Sequence, residues 1–242
     1  RTPVEKRGQL RSRLSLGPQF VTRHIPVGGN PYGLAISADG QRVLVANHLG
    51  NSVSVIDTTS GSVASTIDVG SVPQLTELRR GEILFHSASI CFQGQFSCAS
   101  CHPDGHTTGL SWDLEDDGLG NPKNIRSFLG VKGTGPFRWQ GEAPTIGADE
   151  CGPTVSGAMR GAELSLADLA ALTAFVTELP LMPNPYRGPQ GEISEAAQRG
   201  QQIFEQGDRC TQCHASDHFS IAERRDVGLG PGRPDEIALP DG

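Results

Sequence analysis

Two copies of one five-residue pattern, Cys-x-x-Cys-His, constrain this chain more than any other feature of its sequence. The first copy begins at Cys98 and the second at Cys210. Two thiols on one turn of helix can each form a thioether with a vinyl group of haem, and the adjacent histidine can then ligate the iron. The pattern therefore predicts two covalently attached c-type haems. The predicted thioether cysteines and iron-ligating histidines are Cys98, Cys101, His102, Cys210, Cys213 and His214.

Two other uses of paired cysteines fit this sequence less well. The cysteine pairs of a zinc ribbon usually lie about 15–20 residues apart, whereas 109 residues separate Cys101 from Cys210. A thioredoxin-like redox pair requires a neighbouring βαβ pattern, which the sequence lacks. Neither use explains why a histidine follows both pairs, so the sequence favours haem.

A short internal repeat precedes each motif. Arg80–Phe85 reads RGEILF and Arg199–Phe204 reads RGQQIF. Each run predicts an amphipathic helix whose aliphatic–phenylalanine pair packs near the edge of the haem. The chain therefore contains a duplicated cytochrome c unit, and the first copy carries an insertion that holds Cys91.

Two cysteines remain outside the motifs. Haem attachment of this type takes place outside the cytoplasm, where disulfides persist. We therefore expect a periplasmic or otherwise extracytoplasmic protein with a disulfide between Cys91 and Cys151. Two buried free thiols are the alternative.

The stretch from residue 24 to residue 70 has a different character. Short runs rich in β-branched residues begin at residues 25, 33, 42, 52 and 62, with turn signals such as Asp39-Gly40 and Ser60-Gly61 between them. Four short antiparallel strands in about 45 residues match one propeller blade. Ser37–Asn47 with Asn51–Asp57 resembles the YVTN-type β-propeller repeat. Because one blade cannot bury its own faces, the other blades are either missing from this chain or supplied by a partner chain.

Composition and helix signals complete the predicted organisation. With 31 glycines and 17 prolines the chain is loop-rich. Ser165 predicts the start of a helix that ends near Leu179, and Ser194 caps another that ends at Gly207. We expect a mainly α, loop-rich fold with two cytochrome c-like haem units behind one β-propeller-like blade. The predicted domains are a blade with a terminal arm (1–70), a first haem unit (71–190) and a second one, incomplete at its C-terminus (191–242).

The charge distribution limits the classes of partner. The net charge is −7 overall and −11 over residues 81–242, which favours a basic partner protein. The cluster of Arg7, Arg11 and Arg13 is typical of a solvated terminus, so we expect no nucleic acid. No apolar run is long enough to predict a membrane span. With no initiator methionine or signal peptide, the chain is expected to be a processed or excised product.

From residue 24 onward the chain resembles the bacterial diheme cytochrome c peroxidase family, in particular its members fused behind a YVTN-type propeller. Asn121 stands where that family has an asparagine that helps hold a calcium ion between the haem units. Trp139 stands where the family has a tryptophan between the two haems, which makes it a candidate catalytic residue; a packed core aromatic is the alternative. Met159 lies 57 residues after His102, at a distal-methionine position of the family, and is a candidate sixth iron ligand.

The sequence also departs from that family. The distal histidine of the peroxidatic haem is expected between residues 107 and 120, which contain none, and Ala158 stands where an acidic residue assists peroxide cleavage. We therefore expect an exported diheme cytochrome that transfers electrons to or from a partner protein. One alternative is a peroxidase-like oxidoreductase with an open first haem. Another is a partner- or substrate-binding propeller-cytochrome subunit of a larger complex, in which another subunit completes the propeller and the second haem unit.

Overall fold

A computed structural model describes most of the chain as two compact units, Arg1–Gln74 and Leu75–Gly242. The described residues are 23–71, 74–113, 120, 122–139, 141–206, 210–215, 218–223 and 225.

The first unit contains one four-stranded antiparallel sheet whose strands follow each other in chain order. The strands are β1 (Pro31–Ile36), β2 (Arg42–Asn47), β3 (Ser52–Asp57) and β4 (Ser62–Asp68). Hairpin connections require left-handed backbone, which Gly40 (φ 69°) and Gly61 (φ 61°) supply. The four strands expected from the β-branched runs are confirmed, whereas residues 25–27 form no strand.

The interior of this sheet is partly polar. Asn47 is 1% exposed, and its Nδ2 donates to Ser52 Oγ (3.0 Å) and Ser54 Oγ (2.9 Å). Large apolar side chains on β1 stay exposed, Leu34 at 75% and Ile36 at 71%. The described residues therefore cover the sheet only in part.

The second unit consists of short helices joined by turns. Its helices are α1 (Glu77–His86), α2 (Cys98–Cys101), α3 (Gly152–Ser156), α4 (Leu166–Thr177) and α5 (Glu195–Glu205). A π-helical turn over Gly147–Cys151 leads into α3, and Ser111–Trp112 pairs with Lys123–Asn124 as strands β5 and β6.

Side-chain caps fix where the longer helices begin. Thr76 Oγ1 accepts from the backbone of Arg79 (3.1 Å) at the start of α1. Ser165 does the same for α4 and Ser194 for α5. Both predicted cap positions are confirmed, and each helix ends two residues before the predicted end. The caps satisfy backbone N–H groups that have no partner within the helix.

The core of the second unit lies between α1 and α4. Phe85 is fully buried, and Leu172 and Val176 are each 1% exposed. The helices approach closely at Gly81, where a Cβ atom would overlap the carbonyl group of Ala171. The sequence of α1 therefore needs glycine at this crossing.

The expected mainly α fold is wrong. Helix accounts for 32% and strand for 17% of the described residues, with a four-stranded sheet and a small second sheet. Glycine- and proline-rich turns limit helix in the second unit to short stretches, the longest being the 12 residues of α4. Within the described ranges, no helix is long and apolar enough to cross a membrane.

Candidate haem-attachment sites

The first Cys-x-x-Cys-His motif folds as one turn of helix followed by a histidine. The backbone of Ser97, which precedes α2, donates to Ser100 Oγ (3.0 Å) and fixes the start of the turn. The backbone of His102 donates to the carbonyl of Cys98 (2.9 Å) at its end. Cys98 and Cys101 therefore share one helical turn, the arrangement that two adjacent vinyl groups require.

The ring of His102 is held in place from two sides. Its Nδ1 donates to the carbonyl oxygen of His106 (3.2 Å), and its ring centroid lies 4.2 Å from that of Phe128. Burial lowers the pKa of His102. Hydrogen bonds with the backbone of His106 and Arg126 raise it, but by less than burial lowers it. A neutral imidazole whose Nδ1–H is bound by a carbonyl presents Nε2 to a metal. The residues at this motif fit a haem iron.

The second motif repeats the histidine hydrogen bonds, although residues 210–214 form a turn and not a helix. The backbone of His214 donates to the carbonyl of Cys210 (2.8 Å). The Nδ1 atom of His214 donates to the carbonyl oxygen of Phe219 (3.0 Å). The ring of Phe204 in α5 lies 6.5 Å from the His214 imidazole between centroids. Two motifs 112 residues apart thus orient their histidines through equivalent backbone hydrogen bonds. The second site fits the same group.

The thiols of the first motif differ in their pKa values from reactive redox cysteines. Burial raises the pKa of Cys98 to about 11, and burial also raises the pKa of Cys101. Reactive redox cysteines have lowered pKa values. Among the residues that the structure describes, no three His, Cys, Asp or Glu side chains form a metal-binding group. The raised pKa values of Cys98 and Cys101 therefore do not match those of a reactive redox pair.

The expected disulfide between Cys91 and Cys151 is absent, and both are buried free thiols. Cys91 packs with Val155 and Met159, whereas Cys151 belongs to the core around Phe85. The two thiols therefore occupy separate apolar clusters.

Sequence reasoning missed the position of Cys151 relative to the haem motif. Burial raises the pKa of Cys151, and the charges of Cys98 and Glu150 raise it further. Cys98 contacts the clusters of both Cys91 and Cys151. No sequence signal identifies this proximity, because the residues are far apart in the chain and meet only through packing.

Met159 lies beside the first motif. It is 3% exposed and packs in the cluster of Cys91 and Val155, against which Cys98 also packs. The alternative candidate in the linker, Met182, is 71% exposed. The structure thus brings Met159 next to a predicted thioether cysteine, and its role as iron ligand stays a prediction.

Trp139 is a half-exposed side chain, not a packed core aromatic. It is 49% exposed, and its Nε1 donates to the carbonyl of Asn124 (3.2 Å). The guanidinium of Arg126 lies 4.3 Å from the ring centroid, within cation–π distance. Its placement between two haems stays a prediction. Asn121, the predicted calcium ligand, lies outside the described residues.

Comparison with known proteins gives one clear similarity. The chain is 36% identical over 170 residues to hydrazine synthase subunit gamma of Kuenenia stuttgartiensis, covering 63% of this chain and 48% of that protein. A solved hydrazine synthase structure from the same organism, pressurized with 20 bar xenon, matches with a TM-score of 0.55 and 35% identity over 63% of this chain and 54% of that one. The chain therefore spans about half the length of the relative that it matches.

Two further results add little to this similarity. A MauG-like protein associated with microbial copper homeostasis aligns at 18% identity with a TM-score of 0.44, over 86% of this chain and 59% of that one. No family model matches the chain.

Proposed function

We propose that this chain is a diheme c-type cytochrome that transfers single electrons outside the cytoplasm. The observation that carries the proposal is the duplicated arrangement at the two motifs, in which each histidine donates from Nδ1 to a backbone carbonyl four or five residues later. Cys98, Cys101, Cys210 and Cys213 would hold the haems, and His102 and His214 would ligate the irons. When bound, haem supplies an iron couple that accepts and releases one electron.

The chain's own residues orient the histidines and set their surroundings. A hydrogen bond from Nδ1 fixes the tautomer and raises the basicity of Nε2. Phe128 lies against the ring of His102, and Phe85 lies 6.1 Å from Phe128 between centroids. This apolar packing reduces the contact of the His102 ring with water.

Met159 would be the sixth ligand of the first haem in this proposal. Three observations support it: its burial in the cluster that Cys98 contacts, the lack of histidine between residues 107 and 120, and Ala158 in place of an acid. A thioether ligand raises the reduction potential of a haem. In that role Met159 would also occupy the position that peroxide needs, so the chain should be a poor peroxidase.

A peroxidase-like oxidoreductase is the second candidate. Trp139 favours it, because a half-exposed indole near the first haem unit is an accessible group for electron exchange. In that case the first haem would keep a position open to peroxide, and Asn121 would help hold a calcium ion between the two haem units. A third candidate is a subunit of a larger complex, supported by the similarity to hydrazine synthase subunit gamma and by the exposed Leu34 and Ile36 of the sheet.

A spectroelectrochemical titration of the exported chain tests the proposal. We expect two reversible one-electron steps, a methionine–iron charge-transfer band and slow peroxide turnover. Met159→Ala should abolish the band, convert the first haem to high spin and lower its potential, whereas Met182→Ala should change none of these. A first haem that is already high spin in the wild type, with fast peroxide turnover, would support the oxidoreductase instead.

A further inference from the structure

Met159 is held through its backbone as well as through its side chain. Its N–H donates to the carbonyl of Thr154 (2.9 Å), and its carbonyl accepts from the backbone N–H of Phe92 (3.0 Å). The first bond belongs to the turn that follows α3. The second bond joins Met159 to a segment 67 residues earlier in the chain. The backbone of this residue is therefore tied to two separate parts of the first haem unit.

The earlier segment consists of two short 3-10 turns, Ala88–Ile90 and Phe92–Gly94, which are joined by Cys91. It lies where the first copy of the repeat is longer than the second. From the glycine of the repeat to the first cysteine of the motif, the first copy spans 17 residues and the second spans 10. We call residues 88–94 the insertion segment. The second copy is seven residues shorter at this point, so it lacks a counterpart.

The insertion segment also contacts the turn directly after Met159. Arg160 takes left-handed backbone (φ 50°), and the N–H of Gly161 donates to the carbonyl of Val155 (2.8 Å). A Cβ atom at Gly161 would overlap the carbonyl oxygen of Ile90. Glycine permits this approach of one backbone to another. The turn that carries Met159 therefore packs directly on the insertion segment.

The side chain of Met159 lies in the apolar cluster that joins the insertion segment to the first haem motif. It packs with Cys91 of the segment, and Cys98 of the motif packs against the same cluster. Phe92 is 54% exposed, so its contribution to this site comes from its backbone. Because methionine has three rotatable side-chain bonds, a fixed backbone and a packed neighbour are both needed to keep its sulfur in one place.

We propose that the insertion segment positions Met159 for the first haem. Two contacts hold it: the hydrogen bond from the N–H of Phe92 and the close approach of Ile90 to Gly161. The inference rests on the proposed function, in which Met159 would ligate the iron. A ligand that is already held in place loses less conformational freedom when it binds, so it binds more tightly. The segment thus makes the first haem site different from the second.

Two substitutions at Phe92 separate the effect of its N–H from that of its side chain. Phe92→Pro removes the donor, and the backbone there suits proline: Phe92 begins a 3-10 turn, and Cys91 before it is extended (φ −101°, ψ 147°). Phe92→Ala is the matched control, because it keeps the N–H and shortens an exposed side chain.

Imidazole, added to the oxidised haem-loaded chain, competes with Met159 for the sixth position and displaces the methionine–iron band. Phe92→Pro should raise the apparent affinity of the first haem for imidazole by about fivefold. This change corresponds to about 1 kcal/mol, the net contribution of one backbone hydrogen bond. Phe92→Ala should leave the affinity unchanged.

Carbon-13 NMR of the methionine methyl groups reports the position of Met159 whether or not it binds iron. The chain has two methionines, so the reduced, labelled chain gives two signals, and the exposed Met182 serves as the internal reference. Phe92→Pro and Gly161→Ala should each shift the Met159 signal, whereas Phe92→Ala should not. Gly200→Ala is the control for Gly161→Ala, because it adds the same methyl group where no heavy atom lies within 4 Å.

The two measurements separate this inference from the proposed function. If Met159→Ala leaves the affinity for imidazole unchanged, Met159 is not the ligand, and the methyl signals alone decide whether the insertion segment positions it. An unmoved Met159 signal in Phe92→Pro and in Gly161→Ala, with both haems attached, would overturn the inference. Equal effects of a variant and its control would also overturn it. If Phe92→Pro attaches fewer than two haems, Gly161→Ala takes its place in both measurements.

Discussion

The helices α1 and α5 show how one sequence pattern acquires two different environments. Phe85 in α1 is fully buried, whereas α5 has no buried residue. Both helices begin at a side-chain cap and both precede a haem motif. The difference is α4, which packs on α1 and, among the described residues, not on α5. The shared pattern thus specifies a capped helix, whereas the burial of that helix depends on a second helix that the pattern does not encode.

Replacing Gly81 or Gly200 by alanine should give the largest difference between α1 and α5 in the free energy of unfolding. Gly81→Ala forces α1 away from the backbone of α4, so we expect the free energy of unfolding to fall by about 3 kcal/mol or more. Gly200→Ala should instead stabilise α5 by up to about 1 kcal/mol, since alanine is the better helix former and nothing in the described chain opposes it. Denaturant titration of both variants measures the two changes. Equal effects at the two sites would contradict the structural difference.

Replacing Met159 or Met182 by alanine should lower the free energy of unfolding by very different amounts, because the first residue is buried and the second is exposed. Met159→Ala removes a side chain that is 3% exposed, so the free energy of unfolding should fall by about 2–4 kcal/mol through lost burial and a cavity. Met182→Ala, at a site 71% exposed, should cost less than about 0.5 kcal/mol. Thermal unfolding with and without haem measures both. A large loss for Met182→Ala would show that the linker is packed.

The ion pair between Arg80 of α1 and Asp168 of α4 should make the stability of this helix pair depend on pH. No such ion pair joins α5 to another helix among the described residues. Hydrogen bonds from Arg80 and Ser165 lower the pKa of Asp168 below its usual value of 3.8. A carboxylate with a lowered pKa in the folded state adds stability at pH values above its unfolded pKa, and this is lost as the pH falls through the folded pKa. Because the pair is exposed, the effect should be small. Asp168→Asn should flatten the fall in stability below pH 4, and an unchanged profile would contradict the assignment.

Cys91, which lies in the insertion of the first copy, should give the smallest effect of all. Since Cys91 and Cys151 are free thiols, reductant should leave the free energy of unfolding unchanged, whereas loss of a disulfide would cost about 2–4 kcal/mol. Alkylation in denaturant without reductant should label both residues. If both residues were recovered unlabelled and reductant lowered the free energy of unfolding, a disulfide between Cys91 and Cys151 would be shown instead.

Local patterns predicted local structure well in this chain. The strand runs between Ser37 and Asp57 and the caps at Ser165 and Ser194 were predictable because alternation and capping depend on neighbours in sequence. The helical turn at Cys98–Cys101 is local in the same sense. The histidine hydrogen bonds to His106 and Phe219 were not, because they depend on the turn that follows each motif.

Sequence reasoning was wrong in two places, for different reasons. Cys91 and Cys151 were paired by elimination, but the fold places them in separate clusters, an outcome that depends on contacts between distant segments. The mainly α expectation gave too little weight to four strands that the sequence itself predicted and to the turns between short helices.

The intact mass of the exported chain tests the central claim most directly. The account predicts the 25.6 kDa polypeptide plus two haems, a gain that survives acid and organic extraction because thioethers are covalent. Cys210→Ala with Cys213→Ala should remove one haem, and Cys91→Ala should keep both. A wild-type chain that gains one haem or none would contradict the account.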